Sequence, residues 1–513
     1  MKHLLVCVRK LFFLSLALLT LPTYAQQPTA SSAALPAWMR ANDPGPRPNP
    51  KSPIPKAVPG LNANEIALFT ESLLRVSELE GTCDTCVQQP QGVLPIDPSP
   101  NNPFSPKSLI NSAGMGPVFN ADQCFTCHSQ PSIGGSATRS NAAFEVAKRM
   151  GANNVVPDFE EREGPFREVR FKFKKNGERD GGVHSLFTVA GRSDVPSNCR
   201  LEQPNFEHEM QERNLAFRIP LQLFGLGLIE AIPDTAIRAN MRANREAKQA
   251  LGIAGHPNIN PNTGTISRFG WKAQNASLTM FAGEAYNVEM GISNDLFPTS
   301  RSEDSNCNVA YEPFDVPRTD EISYNNPLKI MPAWLMFTEF MRFVDAPPLV
   351  PMTGAADRGR KLFSEIGCAL CHTPSFQTPG SANPNGPWDE VGAKTLALRG
   401  QTVNLYSDLL VHHMGATLAD NVVQGDAGPD EFRTTPLWGL GQRIYFLHDG
   451  RTSDLMVAIQ DHFSFPGFNG GDNPSRDRDS PKYGFSEANG TVATFNRLSE
   501  ADKQAILTFL RTL

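Results

Sequence analysis

Two pentapeptides carry the first chemistry in this chain, Cys124-Phe125-Thr126-Cys127-His128 and Cys368-Ala369-Leu370-Cys371-His372. Two cysteines three positions apart, followed at once by a histidine, can attach a c-type haem through two thioethers and offer the imidazole to its iron. Zinc is the competing reading, but a structural zinc site asks for more soft ligands at short spacing. Two complete matches therefore predict two covalently attached haems, and with them electron transfer or redox catalysis rather than hydrolysis. The group opposite each histidine decides between those two. A sixth protein ligand favours electron transfer, whereas an open position admits peroxide or oxygen.

The elements that must place these motifs begin with an export signal. Met1-Lys2-His3 and Arg9-Lys10 precede an apolar run, Leu11 to Leu21, that ends at Thr23-Tyr24-Ala25. This pattern predicts a signal peptide over 1–25 and a periplasmic location. The run is shorter than the roughly 20 residues that span a bilayer, and no later segment reads as transmembrane. Loss of Lys2, Arg9 and Lys10 takes the formal charge from -6 to -9, which argues against nucleic acid as a partner. The nine cysteines lose Cys7 to the signal and four to the motifs. Cys83, Cys86, Cys199 and Cys307 remain. In an oxidising compartment they can form disulfides, Cys199 to Cys307 being the most evident, although spacing does not decide the pairing. Cys83-Asp84-Thr85-Cys86 has no following histidine and reads as a local disulfide or metal pair before a redox dithiol.

The rest of the chain reads as mainly α with long loops. Residues 26–60 are rich in Pro, Ala, Ser and Asn and read as a flexible N-terminal arm. A short helix is expected between Asn62 and Glu80, and Leu221 to Ile232 reads as buried helix or strand. Residues 61–344 form an expected N-terminal haem domain with insertions, 345–353 a proline-marked crossover and 354–513 a C-terminal haem domain. Gly116 to Phe119 and Gly359 to Phe363 are expected as short helices leading into the two motifs, a trace of duplication. Ser499 and Asp502 predict a capped terminal helix carrying Ile506, Leu507 and Leu510.

Further segments sharpen this reading. They are Asp180-Gly-Gly-Val-His184 through Arg192-Ser-Asp194, Arg268-Phe-Gly-Trp271-Lys272-Ala-Gln274, Glu289 to Asn294, Tyr406-Ser-Asp408 through His413-Met414-Gly415, Phe432-Arg433 through Trp438-Gly-Leu440, and Phe446-Leu-His448-Asp449-Gly450-Arg451. With them the chain, from about residue 60 to 513, resembles the di-haem oxidoreductases, classed as peroxidase-like or thiol oxidoreductase-like, of the bacterial di-haem cytochrome c peroxidase superfamily. The resemblance implies two cytochrome-c-like haem domains with small β elements, the N-terminal haem catalytic and the C-terminal one transferring electrons. It also implies a methionine opposite His372, for which Met414 is preferred, with His413 and His448 as alternatives. The related peroxidases often carry a methionine near the last motif, but Leu447 stands directly before His448 here. Interdomain calcium is a further implication, and no EF-hand pattern identifies its ligands.

For the first haem, His184 in its glycine-rich setting is the leading distal ligand or proton-handling residue. His208 and His256 are weaker candidates. Cleavage of an O–O bond also calls for a carboxylate and for positive charge. Glu230 and Glu289 supply the former and Arg192 and Arg268 the latter. Trp271 and Trp438 are candidate members of an electron path, although core packing accounts for tryptophans almost as well. The expectation is a periplasmic enzyme that reduces hydrogen peroxide with electrons from a small donor such as a cytochrome c or cupredoxin. The rivals are oxidation or oxygenation of an organic or protein substrate, and a non-enzymatic di-haem electron carrier.

Overall fold

The computed structural model describes residues 41–81, 112–113, 115–149, 156–185, 187–189, 196–301, 304–307, 313–315, 331–380, 395–467 and 483–513. The expected signal peptide, the first part of the arm, Cys83, Cys86 and Arg192 lie outside these residues. The described architecture is mainly helical, with small two-stranded pairings, five antiparallel and one parallel. No helix among the described residues is long and apolar enough to cross a membrane.

Helix Ala63–Arg75 starts at a reciprocal cap, in which Asn62 accepts from Glu65 N and Glu65 accepts from Asn62 N. It packs on helix Ala333–Phe343, whose Trp334, Met336, Phe337, Phe340 and Met341 are buried. Helices Leu226–Glu230 and Leu278–Met290 cover the other sides of Ala333–Phe343. Gly227 allows the first of these contacts, because a Cβ there would lie 2.0 Å from Arg342 O. Residues 345–353 connect without regular structure to helix Gly354–Glu365. That helix crosses the terminal helix Glu500–Leu510 at Gly359, where a Cβ would lie 1.9 Å from Ala505 O. Ser499 caps the terminal helix as expected, accepting from Asp502 N. One apolar cluster runs from Val58 through Phe340 and Val344 to Leu409 and Trp438.

Two local expectations change. Before the second motif there is a helix, but Val118–Phe119, before the first, is a strand paired with Thr188–Val189. The β-branched Val118 and aromatic Phe119 bury against that partner, a better use of them than one turn of helix. Residues 41–60, expected as part of a flexible arm, lie on the body of the protein. Asp43 accepts from Leu455 N at 2.9 Å and from Arg511 Nε at 2.7 Å, and Arg47 N donates to Gly441 O. Both members of the Asp43–Arg511 pair are almost fully buried. Asp43→Ala leaves the guanidinium with carbonyl partners only, so it lowers stability by about 3 kcal/mol. Denaturant unfolding of the haem-loaded protein checks this.

Candidate functional site

Each motif forms a single 3-10 turn, Cys124–Thr126 or Cys368–Leu370, that turns its cysteines and histidine toward one cavity. The four thiols are free of disulfides, whereas Cys199 and Cys307 are bonded to each other. His128 Nδ1 donates to Leu221 O at 2.7 Å, and His372 Nδ1 donates to Tyr406 O at 3.2 Å. Fixing that tautomer leaves Nε2 as the lone-pair nitrogen, as an axial ligand needs. Tyr406 itself takes a left-handed backbone conformation, φ 53°, uncommon for a non-glycine residue. Burial brings the pKa of both imidazoles down to about 4, so they are neutral at physiological pH, as a ligand to iron must be.

The two cavities differ in kind. The one at His128 encloses about 1100 Å³ of open space, mouth included, and is walled by polar groups among them Asn120, Glu168, Arg170, Gln274, Glu284 and Glu289. His128 is the sole imidazole among its lining residues. Helix Leu278–Met290 forms one wall and carries Glu289 on the turn after Tyr286. Burial, then Glu168 and Glu284, push the Glu289 carboxyl up to about 8, with Arg170 opposing. It is therefore a group able to exchange a proton near neutrality.

The cavity at His372 encloses about 1440 Å³, mouth included, and its wall is largely apolar, with Phe363, Leu418, Leu437, Leu455, Ile506 and Leu510. It contains three further histidines. His412 is clamped on both nitrogens, by Glu487 at 2.7 Å and Asp408 at 3.0 Å, and so has no nitrogen to give. His448 stacks on Phe432 at 4.4 Å and meets the edge of Trp271 at 6.4 Å. His462, at the end of helix Leu455–Asp461, repeats the arrangement of the two motif histidines, its Nδ1 donating to Ala458 O at 2.7 Å. His462 also stands close enough to His372 to lower its pKa, after burial.

The expected site residues separate clearly on this map. Met414 lines the second cavity but packs with Leu418 and Phe432 in an apolar cluster. His413 points away, 56 % exposed and paired with Asp430 and Glu431. Trp271 lines both cavities, its Nε1 donating to Ile219 O at 2.9 Å, while Trp438 lines only a small void between them. Of the candidates for proton and charge handling among the described residues, Glu289 alone lines the first cavity.

The distal role expected of His184 is corrected: the ring stacks on Phe171 at 4.0 Å, bonds to Asp180 at 3.0 Å, and lines neither cavity. Its glycines serve a turn, where Asp180 also accepts from Gly182 N. Glu230 is corrected likewise, since it accepts from Leu278 N and from Arg342 Nε, both at 3.0 Å, and holds two helices together. Arg268 is corrected too, because it is fully buried against Asp234 and the carbonyls of Ile229 and Ile232, which ends helix Leu226–Glu230. His208 is exposed on a surface helix and His256 bonds to Glu431 at the surface, so neither lines a cavity. The residue that sequence reading missed is His462. Its only signal was a histidine closing an amphipathic segment that follows the Phe446 to Arg451 motif.

The residues present fit haem at both cavities: free thiols in pairs, a fixed neutral imidazole and a large open space beside each. Calcium has no comparable support. Among the described residues, one group of three or more side chains converges in the manner of a metal site, Cys371, Asp408 and His412, and sulfur and nitrogen do not suit that ion.

A family model described as "Di-haem oxidoreductase, putative peroxidase" matches residues 169–467, which include the second motif and His462 and leave the first motif outside. No curated protein matches the chain. Among solved structures, a hydrazine synthase from Kuenenia stuttgartiensis is similar at 14% identity and a TM-score of 0.25, over 67% of this chain and 90% of that one. A MauG-like protein associated with microbial copper homeostasis is similar at 15% identity and a TM-score of 0.25, over 63% and 95%. Likenesses at that level carry no argument about mechanism.

Proposed function

The chain belongs to the di-haem oxidoreductase family, whose model matches more than half of it, and from that premise we propose that it reduces hydrogen peroxide to water with electrons from a small redox protein. Cytochrome c and cupredoxin are the donor classes of the right size and chemistry. The observation that carries the proposal is the asymmetry of the cavities: one is the more polar, with a single imidazole and the partly buried Glu289, and the other is largely apolar with two backbone-anchored imidazoles. The first suits chemistry and the second suits electron entry. Two haem domains, 61–344 and 354–513, remain part of this proposal. So does export to the periplasm, which the Cys199–Cys307 disulfide favours.

Cys124, Cys127 and His128 would hold one haem, and Cys368, Cys371 and His372 the other, with His462 rather than Met414 as the second nitrogen or sulfur ligand. When bound, these groups would supply one-electron steps and a place for peroxide to react. The chain supplies the proton handling. Reduction of H2O2 to two waters consumes two electrons and two protons. The Glu289 carboxylate takes the proton from one peroxide oxygen and returns it to the departing one, so that hydroxide never leaves into a buried cavity. Arg170 opposes the upward shift of that carboxyl and keeps its ionised form accessible.

Trp271 is the proposed bridge, because it lines both cavities. Trp271→Leu slows electron passage from the second haem to the first, whereas Trp438→Phe leaves it unchanged. Stopped-flow reduction monitored at each haem measures this, and equal rates in all three proteins reject the path.

The function itself is tested with fully haem-loaded protein. Electron paramagnetic resonance of the oxidised and half-reduced forms, with and without peroxide, is paired with turnover of a reduced cytochrome c. A high-spin centre that responds to peroxide, with two donor molecules oxidised per peroxide, supports the proposal. Two low-spin centres unresponsive in both states would leave the electron-carrier reading.

A further inference from the structure

The second cavity holds two buried cations that form no ion pair among the described residues; its one lining carboxylate, Glu487, is engaged with His412. Arg433 and Arg443, 6 % and 7 % exposed, both line it. Arg433 uses Nε to donate to Gly270 O at 2.8 Å, but its Nη1 has no partner. Arg443 has no partner for either Nε or Nη2. Among the described residues neither forms an ion pair. The first cavity behaves differently, since Arg170 pairs with Glu168 and Arg218 with Asp420. A desolvated guanidinium without a counter-charge is strongly unfavourable, and two in one cavity also repel each other. Burial, together with the nearby Arg443 charge, brings Arg433 down to about 10. A fold retains such a pair when something else in the cavity supplies the negative charge.

We propose that Arg433 and Arg443 form the carboxylate subsite of the second cavity and bind the two propionates of the haem attached at Cys368 and Cys371, one arginine to each. This rests on the reading that the second motif carries a haem. A tetrapyrrole is an apolar disc with two ionised carboxylates, and the cavity is an apolar wall with two unpaired guanidiniums. A free inorganic anion would match the charge but would leave the aliphatic wall of Leu437, Leu440, Ile506 and Leu510 unused.

The two arginines differ in what else they touch. Arg433 N donates to Trp271 O at 2.8 Å, and the Arg433 side chain lines the small void shared with Leu221 and Trp438. Leu221 O in turn holds His128 Nδ1. Arg433 therefore links the carboxylate subsite to the bridge and to the histidine of the other cavity. Arg443 has no such link.

The test compares haem-loaded Arg433→Met, Arg443→Met and Arg433→Lys with the parent protein. Thioether attachment keeps the haem in place, and a pyridine haemochrome assay counts it. Potentiometric titration then gives the midpoint of each haem. A cation beside a propionate stabilises the reduced, more negative form, so both methionine variants should show a lower midpoint at the second haem, with most of it recovered in Arg433→Lys. Arg433→Met alone should also change the spectrum of the first haem. Full haem content with an unmoved second midpoint in both methionine variants overturns the arginine assignment and leaves the two-haem reading intact. Absence of haem at the second motif of the parent protein overturns both. Should the methionine variants not accumulate, resonance Raman of the parent decides: the propionate bending band of the second haem should shift on exchange into D2O, and an unshifted band overturns the subsite.

Discussion

Glu289→Gln is expected to lower peroxide turnover by about 10²–10⁴-fold, the range that loss of a positioned acid–base group gives, while both haems remain attached and the second haem keeps its spectrum. Gln is nearly the same size and can still accept a hydrogen bond, so the cavity wall is preserved and only the transferable proton is lost. Turnover of peroxide with a reduced cytochrome c donor measures the loss. A variant that retains full turnover would remove Glu289 from the proposed proton path.

The pH dependence follows from the direction of the shift. Burial and the neighbouring Glu168 and Glu284 raise the carboxyl from an ordinary 4.5 to about 8. Only the ionised form can take a proton from peroxide, so turnover should rise with pH up to about 8, and that limb should vanish in the Gln variant. Stability runs the other way. The unfolded chain releases this proton above about pH 4.5 while the native state keeps it until about pH 8, so the carboxyl costs the fold progressively more as pH rises through that window. Glu289→Gln should be at least as stable as the parent at pH 8. A variant both inactive and unstable would signal collapse of the cavity instead of loss of a proton carrier.

The parts of the site legible in sequence were those written in contiguous residues. Cys124-Phe-Thr-Cys127-His128 specifies its own turn and its own chemistry, and Ser499 with Asp502 specifies a cap, because each interaction closes within a few residues. Residues 41–60 show the opposite case. Their composition is that of a free arm, and what holds them down is a partner at Arg511, more than four hundred positions away. His184 and Arg268 stood in segments with strong family character and proved to brace local structure, His184 through the Asp180 carboxylate that accepts from Gly182 N and Arg268 through carbonyls, because a glycine-rich turn and a helix end need hydrogen-bonding side chains as much as a reaction does. Glu230 and Glu289 looked alike in sequence. Helix Leu278–Met290 separates them, with Glu230 spent at its start and Glu289 delivered to the cavity at its end.

His462 shows best what such reading omits, and it yields the second large expectation. His462→Gly should convert the second haem from low spin to high spin in the oxidised protein, whereas Met414→Leu should leave that spectrum unchanged. The argument rests on the nitrogen inventory of the cavity. His412 has both nitrogens occupied, and His448 stacks on Phe432 with no backbone carbonyl fixing its tautomer among the described residues. His462 has its Nδ1 on Ala458 O, lies close to His372, and is held toward the neutral form by burial. A neutral imidazole with Nδ1 satisfied is a good iron ligand through Nε2. The thioether of Met414 already has a use, packed against Leu418 and Phe432. Replacing the nitrogen by sulfur tests the same point from the other side. His462→Met should raise the midpoint of the second haem by on the order of 0.1 V, a fraction of the ≈ 0.8 V that axial-ligand changes span. Imidazole added to the His462→Gly protein should restore the low-spin spectrum, since a free ring can enter the space left behind. A loss of the low-spin signal in Met414→Leu, with none in His462→Gly, would return the ligand to sulfur and make the second haem a higher-potential centre than two histidines allow.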